Sequence, residues 1–143
     1  MATLVSVFEK INKQDRGARV KDQMRKNNSR VLRTLLQMNF DDNIKFKLAP
    51  GIPSMFYEKD EIHFEFAKKE KQIDAIEPIL KLFVDITKEK NVPKREALFL
   101  KALKNLTQKE AELIVACKDK KLQELYPKFK KEWVEAEFPQ LVS

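Results

Sequence analysis

A mainly α fold, packed as a single compact multi-helix domain over residues 1–143, follows from three features of the sequence. Apolar residues recur three and four apart through most of the chain, the period of a helix with one buried face. Glycine occurs only at Gly17 and Gly51, too rarely for architectures built on tight turns. Ten phenylalanines and one tryptophan supply bulky core material, and 143 residues are enough for one hydrophobic core.

Taken in order, residues 3–13 place Leu4, Val7, Phe8 and Ile11 on one helical face, with Thr3 able to cap the start. The next stretch is basic and carries only Val20 and Met24, four apart, on its apolar side. Asn27, Asn28 and Ser29 offer N-caps to a third helix over Arg30–Phe40. Its broad apolar face holds Val31, Leu32, Leu35, Leu36 and Met38, with Arg30 and Arg33 outside it. Asp41-Asp42-Asn43 stops that helix. Residues 44–48 alternate apolar and basic and read either as a short strand or as a last helical turn. A Pro-rich loop follows at about 49–60. Alternation at 61–66 then offers the one strand partner for 44–48.

In the C-terminal half, Ile73, Ile76, Leu80, Phe83 and Ile86 stripe a helix from about 71 to 89, and Pro78 inside it predicts a kink or a restart. Asn91-Val92-Pro93 opens a helix to about Asn105 that buries Ala97, Leu98, Leu100 or Phe99, and Leu103. Thr107-Gln108-Lys109-Glu110 is a capping box before an apolar run containing Cys117. Leu122, Leu125 and Tyr126 end at Pro127, and a last helix around 129–138 carries Phe129, Trp133 and Val134.

The chemistry-bearing residues are sparse. One histidine (His63) and one cysteine give no metal-ligand cluster and no Cys–His pair. Two glycines cannot form a phosphate loop, and the four serines lie in no nucleophile motif. The expectation is a non-enzymatic protein without cofactor or metal. A lone cysteine argues for a reducing compartment, no run is long enough to span a membrane, and the N-terminus lacks a secretory pattern, which predicts a cytoplasmic location.

What the chain has instead is positive charge, a formal +7. One basic cluster runs from Lys13 to Lys47 and includes Arg16, Arg19, Arg25, Lys26, Arg30 and Arg33. A second contains Lys118, Lys120, Lys121, Lys128, Lys130 and Lys131. Arginine grips phosphate with two parallel hydrogen bonds. If the clusters share a face, they could straddle a duplex backbone and release its counterions. The alternative is that each is a solvated helix face. Trp133, Tyr126 and Phe129 interleave with the second cluster but sit at core spacing. Phe56 and Tyr57, in the loop, are the candidates for contact with a partner protein.

Two resemblances bear on this. The stretches LVSVFEKINKQ, VKDQMRKNNSRVLRTLLQMNFDDNIKFKL and FLKALKNLTQKEAELIVACKDKKL, followed by WVEAEFPQLV, resemble the helical DNA-binding domain of ATP-dependent DNA ligases. That resemblance implies a domain holding duplex DNA by its backbone and minor groove and doing no chemistry itself. It departs at KDKKLQELYPKF, where the ligase pattern has a glycine-containing turn that brings amides to phosphate; lysines would have to replace them. The segment ACKDKKLQELYPKFKKEWVEAEFPQL is similar to the ending of small proteins of large contractile-tailed bacteriophages, which implies a viral setting, in the host cytoplasm or the virion. The leading expectation is therefore a phage accessory protein binding duplex DNA through Arg16, Arg19, Arg25, Lys26, Arg30 and Arg33 together with Lys118, Lys120 and Lys121. The rival is a protein–protein interaction module, a virion component or an adaptor gripping an enzyme through Phe56 and Tyr57.

Overall fold

The chain is described by a computed structural model over residues 2–46, 48, 51 and 66–141. Among these residues it is mainly α, with eight α-helices in one compact domain. They are α1 (Leu4–Asn12), α2 (Gly17–Lys26), α3 (Arg30–Phe40), α4 (Glu77–Lys88), α5 (Val92–Lys104), α6 (Gln108–Lys118), α7 (Leu122–Leu125) and α8 (Lys131–Glu137).

Local chemistry sets the helix starts. Thr3 caps α1 in a reciprocal box: Ser6 N–H donates to Thr3 Oγ1 at 3.3 Å and Thr3 N–H to Ser6 Oγ at 3.0 Å. Ser29 Oγ accepts from Leu32 N–H at the head of α3, and Asn91 Oδ1 from Lys94 N–H at the head of α5. The Thr107 box forms as the spacing predicts, with Thr107 N–H donating to Glu110 Oε1 at 2.8 Å. Glu110 is fully buried, and its other oxygen accepts from Lys71 N–H, so the cap also ties down the approach to α4. Pro78 produces a restart rather than a kink. Ile73–Ile76 form a 3-10 turn, and α4 begins at Glu77 with the proline in its first turn, where no N–H is needed.

α6 is the axis of the fold. Its buried residues run from Glu110 to Lys118 with only Glu112 exposed, the pattern of a helix surrounded on all sides. α1 and α3 pack against it, α4 lies against α3, and α5 is paired with α4. Phe8, Phe83 and Phe129 are the largest fully buried side chains. Phe8 stacks on Phe129 with ring centroids 4.9 Å apart, joining α1 to the segment before α8.

Three expectations change. Residues 44–46 and 48 form no strand: Ile44 N–H turns back to Asp41 O at 3.1 Å, and the one β-type pairing among the described residues is an isolated bridge between Thr3 and Gln72. Most of the partner segment, 61–65, lies outside the described residues, as does the Pro-rich loop apart from Gly51. On α5, Ala97 is exposed; Phe99, Ala102 and Leu103 take the buried face, because that face points at α4. The final helix begins at Lys131, leaving Phe129 in the turn before it.

Candidate nucleic-acid interface

Positive charge is concentrated in one short segment. From Lys13 to Arg33 there are eight lysines and arginines against Asp15 and Asp22, a net +6 of the chain's +7. Five of the six arginines in the sequence fall there. α2 buries only Val20 and Met24, and Ala18, Arg19, Arg25 and Lys26 stand exposed along it.

The two aspartates are already engaged. Asp15 pairs with Arg19 at 3.8 Å, and Asp22 meets Arg25 at 2.7 Å and Lys26 at 3.0 Å. Those two cations hold the Asp22 carboxyl below its ordinary pKa, first through the Arg25 hydrogen bond. The Arg25 guanidinium is in turn held above its ordinary pKa by Asp22 and then by the Glu137 carboxylate. Arg30 pairs with Glu77 at 3.0 Å. Arg16 and Arg33 have no ion-pair partner among the described residues. All these arginines and Lys26 are exposed, and exposed pairs of this kind are weak enough to exchange for another anion.

Helix electrostatics add to the effect. Arg16 is the N-cap of α2 and Arg30 the first residue of α3, and neither helix has an acid in its first turn. The N-terminal ends of helices already carry partial positive charge, so cations there cost about 0.3–1 kcal/mol each. Cations rather than acids at these two N-terminal ends add to a field that attracts anions, while Arg30 also reaches Glu77 at the start of α4.

The expected second half of the grip is not where the sequence suggested. Lys118, expected on phosphate, is instead buried: only 1% of its side chain is exposed, it pairs with Asp119, and its ammonium lies over the Phe99 ring at 5.4 Å. It cannot reach a phosphate. Lys120 is turned inward as well. Its ammonium donates to Met38 O at 2.9 Å and Asp41 O at 2.7 Å, capping the C-terminal end of α3. Burial lowers its pKa, and Asp42 and Asp41 partly offset that. Its backbone adopts the left-handed conformation, φ +61°, that ends α6. Lys121 N–H donates to Ala116 O and Lys120 N–H to Cys117 O, a Schellman closure in which a lysine stands where glycine is usual. Lys121 is exposed, but it lines a cleft with Glu112, Asp119 and Glu124. Lys120 moreover binds the far end of α3 from Arg30, about 16 Å along that helix.

What does meet the basic segment is α8, which packs along α2. Trp133 lies so close to Gly17 that a Cβ there would sit 2.6 Å from the indole. Lys130 covers the Trp133 ring at 4.6 Å, and Lys128 N–H donates to Asn12 Oδ1, so the 128–131 lysines join the α2 side of the molecule. Sequence reasoning missed this seam. Its one signal was a glycine between two arginine-bearing turns in a chain with only one other. Phe56 and Tyr57 lie outside the described residues.

Among the described residues no group of three histidines, cysteines or carboxylates could hold a metal ion, and none of the helices is long and apolar enough to cross a membrane. Cys117 is buried, which pushes its thiol far above the ordinary range and away from nucleophilic chemistry.

A model of DUF6433, a family of unknown function, matches residues 7–124, a span that runs from within α1 into α7 and contains the whole basic segment. No curated protein and no solved structure matches the chain. These comparisons provide no link to DNA ligases or to phage proteins, so both resemblances stand on the sequence alone.

Proposed function

The chain belongs to DUF6433, a family of unknown function, and we propose that it is a non-enzymatic accessory protein that binds duplex nucleic acid by its phosphate backbone. The contact surface is the exposed side of α2 and the start of α3, with Arg16, Arg19, Arg25, Lys26, Arg30 and Arg33 on phosphates. The observation that carries this reading is the net +6 packed between Lys13 and Arg33, with all five arginines of the segment and Lys26 exposed. The sequence resemblance to a ligase DNA-binding domain supports the same ligand, and the resemblance to phage proteins supports a role in the host cytoplasm during infection. Lys118 and Lys120 have no part in it; Lys130 extends the surface past Trp133.

Phosphate contacts position a protein without reading sequence, so binding should show little sequence preference. Each neutralised phosphate releases counterions, and six contacts give a slope of log affinity against log salt of about −5. Titrating a labelled duplex of mixed sequence at about 50 and 200 mM salt should therefore show affinity falling on the order of a thousandfold. Affinity that is absent at low salt, or unmoved by salt, contradicts the reading. In that case a nuclease-treated pull-down that retains one protein would favour the interaction-module alternative.

A further inference from the structure

Where the basic face ends, between α3 and the C-terminal end of α8, there is an open groove of about 440 Å³. It is lined by Arg33, Glu137, Phe138, Pro139, Gln140 and Leu141. Glu137 faces the Arg25 guanidinium, which it helps to hold charged, and it lines the groove as well. The rest of the lining gives its carboxylate a second use. Phe138 is half-buried, packed against the core while also lining the groove, and Pro139 and Leu141 add apolar surface. Aromatic and apolar plates of this kind accept the faces of nucleobases. A glutamate accepts a hydrogen bond from an exocyclic amino group, and a glutamine can both donate and accept along a base edge. Arg33, with no ion-pair partner among the described residues, stands at the same groove as the cation for the attached phosphate. The volume falls within the range of small-ligand pockets.

We infer that this groove takes the base of an unpaired nucleotide, splayed from the end or a flap of the duplex that α2 holds. The inference rests on the nucleic-acid reading above. It makes the ligand a duplex bearing a single-stranded extension rather than uninterrupted duplex.

The test compares the full chain on a blunt labelled duplex and on the same duplex with a short unpaired extension, at one salt concentration. The extended duplex should bind at least about fivefold more tightly, the effect of one well-stacked base. Phe138→Leu, which keeps apolar bulk against the core but removes the aromatic plate, should abolish most of that preference and leave blunt-duplex affinity as it was. Gln140→Ala, on an exposed residue, should narrow the preference without touching the core. Equal affinity for the two duplexes in the native chain overturns the inference while leaving the duplex reading intact. A preference that survives both substitutions overturns it too, because the base then sits elsewhere. Binding to neither duplex removes the parent reading along with it.

Discussion

α2 and α6 are nearly equal in length, and both finish on a lysine, yet they use charge in opposite ways. α2 buries Val20 and Met24 and leaves Arg19 and Arg25 exposed, each paired at the surface with an aspartate one turn earlier. α6 buries almost its whole surface, and the lysines at its end are absorbed by the fold: Lys118 against Asp119 and Phe99, Lys120 into the carbonyls that close α3. The lesson is that a run of lysines in sequence is evidence of a binding surface only after the packing has claimed its share. Around α6 the share is most of the run; around α2 it is almost nothing.

The contrast can be broken most severely at α6. Asp119→Ala removes the counter-charge of a buried ammonium and also the acceptor of Gly51 N–H. The expected loss is about 3 kcal/mol of unfolding free energy by urea denaturation, because a buried ammonium loses its carboxylate while keeping its contact with the Phe99 ring. A loss below about 1 kcal/mol would mean that Lys118 finds water instead. At the α2–α8 seam, Gly17→Ala forces a methyl into the Trp133 ring and should cost about 1–3 kcal/mol. The emission of Trp133, the single tryptophan, should shift with it, since the indole must move. Lys120→Ala comes next, at about 1–2 kcal/mol, because it deletes two charged hydrogen bonds at the end of α3. Lys121→Ala, one residue on and exposed, should stay within about 0.5 kcal/mol of the native protein. A reversed order of these two would place Lys120 on the surface and restore it to the phosphate grip.

Much of the fold was legible because its signals are local. Caps at Thr3, Ser29 and Thr107 sit three residues from the amides they satisfy, and the apolar stripes of α1, α3 and α4 repeat within a turn. Pro78 marked the break before α4 for the same reason. The basic segment was legible too, because α2 has so little apolar surface that its charges had nowhere to go but outward. The candidate site was only half legible. Whether Lys118 and Lys120 face solvent depends on the ring of Phe99 and on the carbonyls of Met38 and Asp41, tens of residues away along the chain. The approach of Trp133 to Gly17 spans more than a hundred residues and leaves no periodic trace. Such contacts are set by how finished helices pack, and spacing within one helix does not encode them.

The central claim is that the cations of α2 and the start of α3, and not those around α6, hold the ligand. The most direct measurement is the salt dependence of duplex affinity for the native chain, for a combined Arg16→Ala, Arg19→Ala and Arg33→Ala variant, and for Lys121→Ala. Removing one phosphate-binding cation should reduce the magnitude of the slope by about one, so the triple variant should drop by about three while remaining folded, and Lys121→Ala should keep the native slope. A triple variant with the native slope, or a Lys121→Ala variant that matches the triple, contradicts the account.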